Sequence, residues 1–254
     1  MAKAMLIDPS LCLGCNACTI ECKRNNGVPV GKGIAWTQIV EHRSGTYPNV
    51  TIHFIKDACK HCTNASCMNV CPTGAIQKPD GAHVVIDQSW CIGCGYCIQA
   101  CPFDIPRFGE ERGSAEKCAF CINNLVEGET ACAHACPFGA ITYGEREELI
   151  QIGKQRVAAF KTQGKANAYL YGEHELGGLH VLYALEDRPS AYGLPEAPRA
   201  VTKRLGANWL SGLVTAGVVT ALPFWLLFRR KNELATARAQ EAEPNQGATQ
   251  QGGD

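Results

Sequence analysis

No excess of either charge marks this sequence. Its 254 residues carry 24 lysines and arginines against 24 aspartates and glutamates, so the balance gives no pointer to nucleic acid. The opening MAKAMLIDPS lacks an apolar run and a cleavage site, and the expectation is that it is not a secretion signal. No serine–histidine pairing and no glycine-rich phosphate loop stands out, which leaves no nucleophilic or phosphate-cradling motif to build on. Against these absences stand 46% hydrophobic residues, enough for one or two compact domains, and sixteen cysteines.

The cysteines fall into four sets of four with none left over. The first is Cys12, Cys15, Cys18 and Cys22; the second is Cys59, Cys62, Cys67 and Cys71. The third is Cys91, Cys94, Cys97 and Cys101; the fourth is Cys118, Cys121, Cys132 and Cys136. Pro72, Pro102 and Pro137 follow the last cysteine of the later three sets, and each is expected to stop a short helix carrying that cysteine. Two stretches nearly repeat each other: IDPSLCLGCNACTIEC at 7–22 and IDQSWCIGCGYCIQAC at 86–101. A second repeat runs CPTGAI at 71–76, CPFDIP at 101–106 and CPFGAI at 136–141. An even cysteine count suggests disulfides in a small secreted chain. That reading fails here, because cysteines so closely spaced on a tight loop rarely bond each other and the chain is long enough to bury a core.

Zinc is the next rival. A structural zinc site takes one C-x2-C pair and a second pair further on. Three cysteines at two-residue gaps crowd a single tetrahedral ion, whereas a four-iron cubane spreads over a surface that one loop reaches at three corners. The C-x2-C-x2-C-x3-C-P run is the bacterial ferredoxin pattern, in which the fourth cysteine ligates the other cluster. Four 4Fe–4S clusters are therefore expected. The second and third sets are adjacent and form one two-cluster unit. There Cys59, Cys62, Cys67 and Cys101 take one cluster, and Cys71, Cys91, Cys94 and Cys97 take the other. By elimination the outer sets exchange in the same way: Cys12, Cys15, Cys18 with Cys136, and Cys118, Cys121, Cys132 with Cys22.

Each oxidised cubane with four thiolates carries about −2, so the loaded chain stands at about −8. Backbone amides of the loops containing Gly14, Gly93 and Gly95 must offset that charge together with cations. Lys60, Lys78 and Lys117 are candidates, although an ordinary surface lysine is the commoner role. His61 and His134 lie inside cysteine sets and are placed to hydrogen-bond a cluster sulfur, with ligation left to the thiols. His180, in GGLHVLYAL, reads as a structural histidine. All sixteen thiols are used, so no iron stays open for substrate, and the C-x3-C-x2-C order of radical chemistry is absent. The clusters conduct rather than catalyse.

The expected architecture is α+β, with duplicated bacterial two-cluster ferredoxin-like modules and one C-terminal transmembrane helix. An inner module at 56–106 is nested in an outer one at 4–55 and 107–144, so the cluster domain covers 1–144. AIQKPDGAHVVID at 75–87 reads as a hairpin turning at Pro79-Asp80-Gly81, and 34–58 as another turning near Ser44-Gly45. Residues 145–161 place Leu149, Ile152, Val157 and Phe160 near helical spacing, opening a docking segment that runs to 207. Residues 208–228 hold no charge over 21 positions, which at about 1.5 Å per residue covers a hydrocarbon core of about 30 Å. Trp209 and Trp225 lie near its ends, Pro223 should kink it mildly, and Arg229-Arg230-Lys231 closes it. The polar residues 229–254 are expected to be disordered. Weighed against Arg199, Lys203 and Arg204, the three closing cations together with Arg238 leave an excess of one charge, which places the C-terminus in the cytoplasm and the cluster domain outside.

On these residues the chain resembles the iron–sulfur β subunits of molybdopterin oxidoreductase complexes, the DMSO reductase superfamily. All four cysteine sets match, including the ten residues between Cys121 and Cys132. The helix after the fourth set, the stretch YLYGEHELGGLHVLYALEDRPSAYGLP at 169–195 and the single C-terminal membrane helix are most similar to the β subunit of membrane-bound formate dehydrogenase. The resemblance implies a molybdenum or tungsten bis-pterin subunit that oxidises formate, and a membrane cytochrome b that reduces quinone. It also implies export of the folded chain with a partner bearing a twin-arginine signal. This sequence has no pterin-binding region, so it is expected to be the relay and not the catalyst. Electron-transfer subunits of hydrogenases and of polysulfide or thiosulfate reductases share the chemistry and remain alternatives, as does a zinc-binding membrane scaffold. Nitrate reductase β subunits usually replace one outer cysteine by Trp and hold a three-iron cluster, which this sequence does not match.

Overall fold

The computed structural model describes residues 2–29, 34–110, 112–200 and 205–241. Two compact units divide between residues 202 and 203. In the first unit the elements run β1 (Lys3–Ile7), α1 (Ala17–Asn25), β2 (Thr37–Thr46), β3 (Asn49–Ala58), α2 (Ser66–Asn69), β4 (Ile76–Gln77), β5 (Val85–Ile86) and α3 (Tyr96–Ala100). They continue with β6 (Arg107–Gly109), β7 (Ser114–Glu116), α4 (Ala131–His134), β8 (Ile141–Glu145), α5 (Arg146–Thr162), β9 (Tyr169–Tyr171) and β10 (Val181–Leu185). The second unit contains α6 (Leu205–Glu241).

One four-stranded sheet, in the order β8-β1-β10-β9, organises the first unit. Strand β1 is apolar on both faces, as a strand covered on both sides must be. Alternate side chains therefore enter different cores. Ala4 and Leu6 pack with Leu149, Ile150, Val157 and Phe160 of α5. Met5 and Ile7 pack with Cys18, Phe120, Cys132 and Tyr183 on the cysteine side. Helix α5 presses close to the sheet at Gly153, where an added Cβ would stand 2.6 Å from a Leu170 methyl. The helix buries Leu149, Val157 and Phe160 as its spacing predicts, but Ile152 is exposed and Ile150 takes the inward place.

The sheet corrects the expected domain plan. Strands β9 and β10 come from the segment read as an extended docking arm, yet β10 pairs in parallel with β1 at Met5↔Val181 through Ile7↔Tyr183. Residues up to 202 are one compact unit, with no boundary at 144/145. Without β10, the apolar edge of β1 opposite β8 would be left unpaired.

The β2–β3 hairpin turns at Tyr47-Pro48, beyond the expected Ser44-Gly45. Gly45 instead stays in the ladder opposite Val50, at a positive φ of 86° and against the Asn49 carbonyl, where a Cβ has no room. Pro48, lacking an N–H, suits the turn and not the ladder. The hairpin at Pro79-Asp80-Gly81 forms as read, with Ile76↔Ile86 and Gln77↔Val85.

The cysteine helices also shift by a residue or two from expectation. Helices α2, α3 and α4 carry the third cysteine of their sets, Cys67, Cys97 and Cys132. They end before the fourth, because the residue ahead of a proline is pushed out of the helical region. Helix α1, with no proline following, carries both Cys18 and Cys22.

The two repeated stretches begin alike down to single bonds. Asp8 accepts from the Ser10 amide at 3.0 Å and its hydroxyl at 2.6 Å, and Asp87 accepts from Ser89 at 2.9 and 2.6 Å. The Asp8 amide donates to the Ala140 carbonyl, and the Asp87 amide to the Ala75 carbonyl, each at 2.8 Å. The tail of the fourth set thus docks on the head of the first, as the tail of the second docks on the head of the third.

Helix α6 is 37 residues long. Within Ser211–Thr236 an 18-residue window reaches a mean hydropathy of 1.8, and the helix is long and apolar enough to cross a membrane. Residues 229–241 are helical, which corrects the reading of the whole tail as disordered. Leu, Ala, Arg, Glu and Gln in that stretch favour helix, and Arg229 pairs with Glu233 at 2.9 Å one turn on. Lys203, Arg204 and tail residues 242–254 lie outside the described residues.

Candidate metal centres

The structure gathers twelve of the sixteen cysteines into three groups that cross between sets. Cys12, Cys15, Cys18 and Cys136 line one cavity of about 390 Å³. Cys59, Cys62, Cys67 and Cys101 line another of about 350 Å³, and Cys71, Cys91, Cys94 and Cys97 a third of about 330 Å³. The remaining four interact electrostatically, Cys132 with Cys22, Cys118 and Cys121, and Cys22 with Cys118 and Cys121, while Cys132 also acts on Cys18 and Cys59 on Cys118.

Local backbone explains how so many thiols fit. Gly14 and Gly93 sit at φ values of 73° and 70° between the first two cysteines of their loops. Asn16 and Gly95 then start α1 and α3 from left-handed conformations. A loop that turns this tightly points successive cysteines inward, while the helix behind it offers the third.

The donor set suits an iron–sulfur cubane and not a single ion. Each of the three cavities is lined by four soft thiol ligands. Among the described residues, no three Cys, His, Asp or Glu side chains converge closely enough to hold one metal ion. Burial pushes the thiols of Cys18, Cys22 and Cys97 up to about 11 and that of Cys67 to about 12. Burial raises Cys62 and Cys118 as well, with neighbouring thiols adding to it. Such groups become thiolates only beside strong positive charge, which iron supplies. At Cys71 burial is outweighed by the Thr73 hydroxyl and the amides of Ile76, Thr73 and Ala75, which lower the pKa.

Donors to sulfur surround the groups. The Asn25 side-chain amide lies 3.7 Å from Cys121 Sγ, and that of Asn26 lies 3.7 Å from Cys22 Sγ. The backbone amides of His61 and Phe120 reach Cys59 and Cys118 at 3.5 and 3.4 Å. The sequence reading missed both asparagines, whose position just after Cys22 is the signal that was present.

The lysines are more deeply placed than expected. Lys60 and Lys117 are buried and line the wall of the Cys59 cavity. Lys60 donates to Tyr183 Oη at 2.8 Å and Asp57 Oδ1 at 3.2 Å. Lys117 donates to the carbonyls of Val84 and Cys118. Lys78 is partly exposed and donates to the Thr63 carbonyl at 2.8 Å. Lys56, absent from the sequence reading, is buried and lines the Cys12 cavity.

His61 is fully buried, accepts from the Val84 amide at 3.1 Å and meets Phe120 edge-on. It belongs to a cluster with His83 and His180 that the sequence did not suggest. His180 is structural as read: its Nδ1 meets the His61 carbonyl at 2.9 Å. His134 is exposed on α4, which corrects its reading as a donor to cluster sulfur.

Comparison with known proteins agrees with this geometry. A 4Fe-4S dicluster domain model matches residues 50–146, and a 4Fe-4S binding domain model matches 9–27. The formate dehydrogenase-O iron-sulfur subunit of Escherichia coli K12 is 40% identical over 216 residues, covering 77% of this chain and 71% of that one. The nitrate-inducible formate dehydrogenase iron-sulfur subunit of the same organism is 37% identical over 238 residues, covering 85% and 80%. A thiosulfate reductase electron transfer subunit from Salmonella typhi is 40% identical over 146 residues, 57% of this chain and 76% of that one. Cluster-binding domains, crossed thiol groups and likeness over most of the length lead to one conclusion: the chain belongs to the family of formate dehydrogenase iron–sulfur subunits, related to those of thiosulfate and DMSO reductases.

Proposed function

We propose that this chain is the non-catalytic electron-transfer subunit of a formate-oxidising complex. It links a molybdenum or tungsten bis-pterin subunit to a membrane cytochrome b and quinone through four 4Fe–4S clusters. The observation that carries the reading is that twelve of the sixteen cysteines line three cavities, each cavity drawing its four thiols from two sets. On this reading each group ligates one cluster, and the matching backbone bonds of the two repeated stretches reflect a duplicated ferredoxin module, one nested in the other. A bound cluster of this kind accepts and returns one electron without making or breaking covalent bonds. The polypeptide fixes the thiols, keeps water from the buried ones and sets amide donors and cations beside sulfur.

Helix α6 serves as a single membrane anchor, with Arg229, Arg230 and Lys231 on the cytoplasmic side and the first unit on the other. The test is purification of the native complex in mild detergent through a tag on this chain. Formate-dependent dye reduction should co-purify; a complex without it removes the formate assignment. A thiosulfate reductase assembly is the second reading, favoured by the 40% identity of that relative. Its match covers 57% of this chain against 77% and 85% for the formate dehydrogenase subunits, and thiosulfate-dependent dye oxidation in the same preparation would select it.

A further inference from the structure

Among the described residues, Lys56 is the one lysine with a buried ammonium that finds no hydrogen-bond acceptor in the chain. Lys60 and Lys117, equally buried, are satisfied by Tyr183, Asp57 and backbone carbonyls. A buried cation without a partner is strongly unfavourable, so a chain that keeps one is built to meet an anion that the polypeptide does not supply.

The fold states where that anion would be. Lys56 sits on β3 opposite Ile39, and both side chains line the cavity of Cys12, Cys15, Cys18 and Cys136. The thiols that act on it most strongly are Cys132 and Cys118, followed by Cys18 of the Cys12 cavity. Lys56 in turn acts on Cys18, Cys22 and Cys118. It lines the first thiol group and interacts electrostatically with Cys22, Cys118 and Cys132. The hairpin that delivers it is anchored by the buried Thr37, Ile55 and Ala58, so its position is fixed by the same strands that lead into Cys59.

We propose that Lys56 is a shared internal counter-charge for the two clusters of the outer cysteine sets, donating to their sulfur and favouring their reduced states. This rests on the cluster assignment above. Each cluster with its thiolates gains one negative charge when it accepts an electron, and a fixed cation nearby stabilises that form more than the oxidised one.

The experiment compares wild type, Lys56→Met, Lys56→Gln and Lys56→Arg in the purified native complex, with iron and sulfide counts and EPR-monitored redox titrations. Lys56→Met and Lys56→Gln should keep the iron count and make two of the four clusters at least tenfold harder to reduce, about 59 mV for one electron. Lys56→Arg should shift them less. If the neutral variants lose two clusters while Lys56→Arg retains them, the charge is needed for assembly and the proposal stands. Full loading with all potentials unmoved overturns it, as does a shift confined to one cluster or loss of clusters in every variant including Lys56→Arg. A wild-type complex without four clusters fails the underlying assignment instead, before any variant is compared.

Discussion

Cys101 follows helix α3, which carries Cys97, yet the two thiols line different cavities. Cys101→Ala is therefore predicted to damage the cluster of Cys59, Cys62 and Cys67, read as loss of its EPR signal. Loss of the Cys91, Cys94 and Cys97 cluster alone would refute the crossed assignment. Tyr183 is a second single-residue test: its hydroxyl accepts from Lys60 at 2.8 Å and donates to the Lys56 carbonyl at 2.9 Å. Tyr183→Phe leaves the buried Lys60 with Asp57 alone, and should cost about 1–3 kcal/mol of unfolding stability; an unchanged denaturation midpoint contradicts this. The cysteines were legible because their spacing is local, and one loop presents three thiols wherever it lies. Lys56, Thr37 and His83 were not. Each is defined by burial that comes from distant strands, and nothing near them in sequence distinguishes a buried lysine from a surface one.

At the scale of elements, β1, α5 and the two hairpins could be read from apolar spacing and turn residues, and most of their bounds held within a few positions. What spacing could not show was partnership. Strand β10 joins β1 across more than 170 residues of sequence, and its apolar run reads equally well as a buried segment of any kind. The contact of α5 with this sheet gives a sharp test. At Gly153 a larger side chain must displace Leu170 and Leu6. Gly153→Val is predicted to destabilise the first unit by about 1–3 kcal/mol through overpacking, measured as a lower thermal midpoint. A neutral result would mean that the helix moves away freely. Helix α6 shows the opposite limit of sequence reading: hydropathy located its apolar span, while good helix formers beyond Arg229 carried it further than charge alone suggested.

For the whole molecule, the account separates a cluster-bearing unit from one apolar helix. Truncation before Trp209 is predicted to yield cluster-loaded protein in the soluble fraction of fractionated cells; retention in the membrane would assign the anchor to a partner. Kinship with iron–sulfur subunits of oxidoreductase complexes was legible from sequence through the cysteine pattern. The chain's own geometry adds the buried lysines among the thiols. The central claim is that these thiol groups carry electrons away from formate. Its most direct test is EPR of the native complex, extracted in mild detergent and recorded before and after formate is added without any other reductant. Reduced 4Fe–4S signals should develop after formate. Clusters that are present, reducible by dithionite and yet unaffected by formate would contradict the assignment and give this chain to a different catalyst.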